Sequence, residues 1–180
     1  MTSDRASSPA DSATGIGKRP VIRVPLTPTE RVLELVSVIG LLLHLFLVTQ
    51  YWHTLPARVP SHYGPSGKPD AWGGKGALVF LLAINVIVYV GMTIVARYPQ
   101  IYNYPVRITQ QNAQRQYLLA RFLIGWIKTV VIWMFAYISW RTMQVALGRA
   151  EGLGPLSLII FLTFIFGAIG IYFYRAYKAR

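Results

Sequence analysis

The chain has no cysteine. Disulfide frameworks, thiolate nucleophiles and cysteine-based zinc sites are therefore excluded. Charge is scarce too. Asp, Glu, Lys and Arg make up 13% of the residues, against about 25% in an average soluble domain. Acid is the scarcer sign: six Asp and Glu stand against 18 Lys and Arg. The sequence also lacks a Gly-rich phosphate loop, a Ser-His-Asp set and paired carboxylates in a plausible site. It therefore predicts neither an enzyme nor a bound cofactor. What it does have is apolar mass, with 54% hydrophobic residues. So few charges cannot cover so large an apolar core with a water-facing surface, and a bilayer removes that requirement. The net charge of +12 raises nucleic acid as a partner. The basic residues, however, sit in short clusters between long apolar runs. That pattern suits loops at an anionic membrane surface and predicts no nucleic-acid partner.

A length of 180 residues suits one domain. Residues 1–26 are rich in Ser, Ala, Asp, Pro and Arg and read as a disordered tail. The first apolar run is too long for the core of a signal peptide. Residues 27–180 read as an all-α polytopic bundle of four transmembrane helices. Thr27, Pro28 and Glu30 form a helix start, with Thr27 as cap and Glu30 closing a capping box. The spans are expected over about 31–52, 77–96, 118–140 and 156–174, since roughly 20 residues cross a bilayer core. Tyr51, Trp52, Trp140, Tyr172 and Tyr174 lie near their ends, where amphipathic rings favour the interface. The third helix is expected to start early, with Thr109 as cap and Gln110–Gln116 as a polar lead-in. Lys and Arg set the orientation. Twelve lie in the tail, the middle loop and the C-terminus, and five lie in the other two loops. The chain is therefore expected in the inner (plasma) membrane with both termini cytoplasmic and residues 53–76 and 141–155 outside.

The loop from Leu55 to Lys75 is the most distinctive stretch. Pro56, Pro60, Pro65 and Pro69 deny a helix, while Gly64, Gly67, Gly73 and Gly74 permit turns. The presence of His62, Tyr63 and Trp72 among them predicts an ordered loop rather than a linker. Leu55, Pro56, Val59, Pro60, His62, Gly67, Pro69, Asp70, Trp72 and Lys75 form a pattern LPxxVPxH, GxPDxW, K. A second stretch is Asn103-Tyr-Pro-Val-Arg-Ile-Thr109, followed by Asn112, Gln116 and Tyr117. Over about residues 30–130 the chain resembles a bacterial membrane domain of unknown function found in SdpI-type immunity proteins. Those proteins protect against a secreted killing peptide. Their well-known members look longer, with further spans and a second region that this chain lacks. The resemblance implies a membrane module that senses or sequesters a peptide outside the cytoplasm.

The ligand-binding candidates are His62, Asp70, Trp72 and Lys75. His53, His62 and Asp70 carry metal-ligating chemistry, but their spacing matches no zinc signature, so no metal is expected. The plainer reading is that His62 and Asp70 hold the loop's own turns.

Inside the spans, Glu30, Glu34, Ser37, His44 and Tyr51 share a face of the first helix. Asn85, Tyr89 and Thr93 form a stripe on the second, and Arg121, Gly125, Lys128 and Ser139 one on the third. These seams should turn toward one another, with His44 meeting Asn85. Glu34 and Arg121 are a candidate ion pair. Trp126, Trp133 and Trp140 recur every seven residues. If they face lipid, Lys128 faces the bundle. His44, Asn85 and Lys128 are the intramembrane polar candidates, and their roles stay open between helix register, binding and an ion path. The function expected is a non-enzymatic membrane binding or sensing protein. The rivals are a small transporter or proton-coupled membrane protein, for which a homodimer is expected, and an accessory subunit of a membrane complex with another membrane protein.

Overall fold

The computed structural model describes residues 19–180. Four long helices dominate: α1 (Pro28–Tyr51), α2 (Gly76–Ala96), α3 (Ala113–Ala146) and α4 (Ser157–Lys178). All four are long and apolar enough to cross a membrane. The expected capping box starts α1. Glu30 N donates to Thr27 Oγ1 at 3.2 Å, and Thr27 N donates to Glu30 Oε2 at 2.7 Å. A one-turn 3₁₀ helix, Pro99–Ile101, lies in the α2–α3 connection.

Thr109 and Asn112 exchange bonds in front of α3. Thr109 N donates to Asn112 Oδ1 at 2.8 Å, and Asn112 N donates to Thr109 Oγ1 at 3.3 Å. At about 1.5 Å per residue the 34-residue α3 reaches about 51 Å, well beyond a bilayer core of about 30 Å. It is therefore longer than a span of the core requires. Residues 141–146, expected in the second outer loop, continue the helix instead. Thr142, Met143 and Val145 are buried there, so tertiary contacts extend α3 past its apolar run.

The bundle has two distinct ends. At one, the N-terminal segment, the α2–α3 connection and the end of α4 meet. Arg19 donates to Gln100 O at 3.2 Å, and Gln116 Nε2 donates to Ala176 O at 2.9 Å. This is the termini end. The tail expected to be disordered over 1–26 falls mostly outside the described residues. Its last part, 19–26, has no helix or strand but is tied to the bundle. Tyr117 Oη donates to Pro20 O at 2.9 Å and Arg121 Nη1 donates to Val24 O at 2.6 Å.

At the opposite end the ordered loop is a β-hairpin, β1 (Arg58–Tyr63) against β2 (Pro69–Gly74). Its antiparallel register pairs Val59 with Gly73 and Pro60 with Trp72, and bulges around His62. Val59 is fully buried and packs with Val48, Leu55, Leu78 and Met143. This cluster seats the hairpin on the ends of α1, α2 and α3 opposite the termini end.

Helix α3 is the hub, packing on α1, α2, α4 and β1, while α4 packs on α3. Gly40 on α1 admits the Trp133 indole, whose Nε1 donates to Val36 O at 3.1 Å. A Cβ at Gly40 would lie 2.8 Å from that nitrogen. The distribution of polarity is inverted relative to a soluble protein. Leu35, Leu42, Phe46, Ile87 and Phe166 are exposed, whereas Ser37, His44, Asn85, Gln116, Lys128 and Ser139 are buried. Lipid gives no hydrophobic drive between helices, so close packing and interhelical hydrogen bonds hold such a bundle.

Candidate functional site

Two constellations stand out, and α3 reaches both. The first is the hairpin. Its tip folds through Gly64 N to Lys68 O at 2.9 Å, with Gly67 at a left-handed φ of 73°. Gly67 O then accepts Leu153 N at 2.9 Å, which clips the tip to the α3–α4 connection. Gly152 leaves room for this clip, because a Cβ there would lie 2.2 Å from Gly67 O. Arg141 donates to Gly152 O from the end of α3. Tyr63 Oη donates to Thr142 Oγ1 at 3.0 Å, and burial raises the Tyr63 phenol pKa. Three anchors therefore fix the hairpin from behind and below.

Of the four expected ligand-binding residues, three lie exposed on this hairpin. His62 Nδ1 and Asp70 Oδ1 are 2.6 Å apart across the strands, with both side chains at least half exposed. Trp72 is 46% exposed on β2. Lys75 differs. Its ammonium turns inward, donating to Trp52 O at 2.8 Å and lying 5.7 Å from the Trp52 ring centroid. It ties β2 to the end of α1. No third His, Cys, Asp or Glu joins His62 and Asp70 among the described residues.

The second constellation is the polar seam. Every member of the α2 stripe finds a partner. Asn85 Nδ2 lies 2.9 Å from His44 Nδ1 and 3.3 Å from Ile132 O. Because a carbonyl accepts from Nδ2, that atom is the amide nitrogen, and His44 Nδ1 accepts from it. Tyr89 Oη donates to Glu34 Oε1 at 2.6 Å. Lys128 Nζ donates to Glu34 Oε2 at 2.5 Å and to Thr93 Oγ1 at 2.9 Å. One layer nearer the termini, Arg121 grips Glu30 with two bonds of 2.7 Å. The Arg121–Glu34 pair expected from sequence is thus corrected: Arg121 takes Glu30, and Lys128 takes Glu34. The two cations are seven residues apart on α3, the two acids four apart on α1. Side chains on α3 lean toward its N-terminus, and the long Lys128 stem covers the remaining turn.

The tryptophan stripe also differs from expectation. Trp126 Nε1 donates to Phe164 O at 3.2 Å, so it faces α4, while Trp133 faces α1. Lys128 is inward regardless, with its side chain 3% exposed. Glu34, 42% exposed, lines a cleft of about 740 Å³ between α1, α2 and α3 with Arg97 and Thr93. His44 Nε2, Asn85 Oδ1 and Ser139 Oγ are buried without a protein partner among the described residues. An interhelical hydrogen bond in a membrane is worth about 0.6 kcal/mol on average. The neutral bonds of the seam therefore each add little stability.

This arrangement defines an integral membrane protein: a four-helix bundle with an apolar exterior, a polar seam and a β-hairpin on one end. A family model described as a domain of unknown function (DUF1648) matches residues 38–87. The match runs through the hairpin and includes both His44 and Asn85. An uncharacterized protein of Archaeoglobus fulgidus is 28% identical over 155 residues, covering 79% of this chain and 82% of the relative. No solved structure matches.

Proposed function

We propose that the chain is a recognition protein whose hairpin, on the outer face of the membrane, captures an extended segment of a secreted or envelope peptide. The matching topology is the inner membrane with both termini cytoplasmic, which the Lys and Arg distribution favours. The observation that carries the reading is the contrast between the hairpin's two sides. Its back is pinned by buried Val59, by Tyr63 and by the Gly67–Leu153 clip. Its front is open: Asp70, Ala71 and Trp72 of β2 are exposed. The sheet has two strands, so among the described residues β2 has a free edge. Such an edge offers unpaired N–H and C=O groups to an incoming strand. Trp72 adds a rigid aromatic anchor beside it. Most of the pattern that resembles SdpI-type immunity proteins falls on this hairpin, and an immunity-like role toward a killing peptide fits it. No chemistry on the ligand is part of the reading.

The test is growth protection. Wild type and a His62→Ala/Asp70→Ala/Trp72→Ala variant are expressed in a sensitive bacterium and challenged with secreted killing peptides. Membrane levels are followed by blot. Protection by wild type and its loss in the variant, at equal membrane level, is expected. Equal protection by both would refute the hairpin as the binding surface.

A second reading rests on the cleft at Glu34 and Lys128 and on the unpartnered atoms of His44, Asn85 and Ser139. Intramembrane ionisable groups commonly mark ion or proton paths. Proton flux in vesicles that Glu34→Gln abolishes would favour it over the hairpin reading.

A further inference from the structure

Two grooves lie in succession where α3 meets α4, the first also walled by the α2–α3 connection. The first, about 640 Å³, opens at the termini end and is lined by Arg107, Arg115 and Lys178 with Thr109 and Asn112. No Asp or Glu lines it. The second, about 320 Å³, continues below and is walled by Leu119, Phe122, Trp126, Phe164, Gly167 and Ile171. Arg175 lines its upper part. The positions show that both grooves lie on one side of the seam. From the α3 cap at Asn112 they step 112, 115, 119, 122, 126, and on α4 they step 178, 175, 171, 167, 164. Both series advance by three or four, the spacing of one helix face.

The lining thus passes from cationic and polar to apolar as it descends. Arg107, Arg115, Arg175 and Lys178 are all exposed. None of them forms an ion pair among the described residues. From Arg115 to Trp126 the groove descends eleven residues, about 16 Å. One leaflet of a hydrocarbon core is about 15 Å deep, half of about 30 Å. Trp126 closes the lower end by its bond to Phe164 O.

We infer that this seam seats an anionic phospholipid of the leaflet at the termini end. Its phosphate sits among Arg115, Arg175 and Lys178, and one acyl chain lies along Phe122, Trp126 and Gly167. Side chains on α4 lean toward its N-terminus, so Arg175 reaches down to where headgroup meets chain. A bulk lipid surface alone would not need a groove one leaflet deep with cations only at its mouth.

The full-length chain is reconstituted in phosphatidylcholine vesicles holding a minor share of phosphatidylglycerol. Bromine, an indole quencher, is placed on the acyl chains of one lipid or the other. The readout is the Trp126 component, taken as the difference from a Trp126→Phe variant. Brominated phosphatidylglycerol should quench it far beyond its share of the lipid. Each of R115Q, R175Q and K178Q should lower that preference roughly five-fold. Gly167→Leu should abolish the quenching by filling the groove. A Cβ at Gly167 meets nothing within 4 Å, so the side chain has room to leave the backbone. Circular dichroism and elution volume confirm folding for every variant. Quenching in proportion to each lipid's share would overturn the proposal. So would a preference that survives all three charge substitutions. Quenching by neither lipid, with the chain eluting as a dimer, would give the groove to a second copy and overturn it as well.

Discussion

The Arg121–Glu30 pair allows the sharpest test of the packing. Both side chains are 8% exposed. The guanidinium also donates to Val24 O at 2.6 Å and Pro25 O at 3.2 Å, so it holds the N-terminal segment too. Arg121→Met keeps the length of the stem but removes every donor. Glu30 then keeps only its bonds from Thr27, and its carboxylate is left buried beside apolar atoms. Breaking a buried pair this way costs about 3–5 kcal/mol, whereas an exposed pair is worth about 0–1. For a chain of this size, each kcal/mol moves the melting temperature by about 2–4 °C, so a fall of roughly 6–20 °C is expected. The double variant Arg121→Met/Glu30→Gln tests the mechanism. Gln keeps the capping bonds without the charge, so the double variant should recover more than half of the loss. The assay is thermal unfolding in mild detergent, followed by intrinsic fluorescence. A single variant losing less than about 1 kcal/mol would refute burial as the source of the effect. Equal losses in single and double variants would instead assign the cost to the released segment at residues 19–26.

Three further outcomes follow from particular contacts. Gly152→Ala should break the clip at the hairpin tip, because its Cβ meets Gly67 O at 2.2 Å. Limited proteolysis should then cut residues 64–68 faster while the helices stay intact. Asn85→Leu strips His44 Nδ1 of its donor and should cost about 1–3 kcal/mol, and adding His44→Phe should restore part of it. Equal melting of the single and double variants would deny that the pair is coupled. Burial raises the Tyr102 phenol to about 12, and its hydroxyl donates to Val95 O at 2.7 Å. Its contribution is full below pH 10 and lost as pH rises toward 12. Stability should therefore fall in that window, and less so in Tyr102→Phe.

The four helices were legible because apolar runs of the right length leave few alternatives in a membrane. The α1 cap was legible because Thr27 and Glu30 stand at the spacing the chemistry needs. The facing of His44 and Asn85 was also readable, since polar side chains in apolar spans turn inward. The ion pairs were not. Helical spacing places Glu30, Glu34, Arg121 and Lys128 on facing sides, but the stagger of α1 against α3 decides which acid meets which cation. That stagger depends on Gly40 admitting Trp133, a contact between residues 93 positions apart. The hairpin strands were hidden for another reason. Pro60 and Pro69 read as breakers, but each sits in a two-stranded sheet where a missing donor can face outward. The buried platform under Val59 then supplies what the short strands lack. Lys75 looked like a ligand residue by its place in the motif. Only the approach of Trp52 O shows that its ammonium is already engaged.

The contacts of α3 bear on whether the bundle displays or transports. Thr142 meets the hairpin, Ile132 O meets Asn85, Lys128 meets Glu34, and Arg121 meets Glu30. These contacts lie along one helix and belong to one register. Sliding α3 by a single turn, about 5.4 Å, would break all of them together. Two are charge pairs. One of them, Arg121–Glu30, is buried and costs about 3–5 kcal/mol when broken; in the other, Glu34 is open to the cleft. A transporter of this size must move a helix or a pair of helices within the cycle. Here the helix that touches the other three helices and β1 is also the one most firmly indexed. Helix α4 lies outside that ladder and packs on α3 through the small Ala120 and Ala176 with Tyr172. Movement is therefore cheapest at the α3–α4 seam, which leaves the platform under the hairpin undisturbed. This weighs on the side of a rigid mount for the hairpin, with exchange of lipid or partner confined to α4.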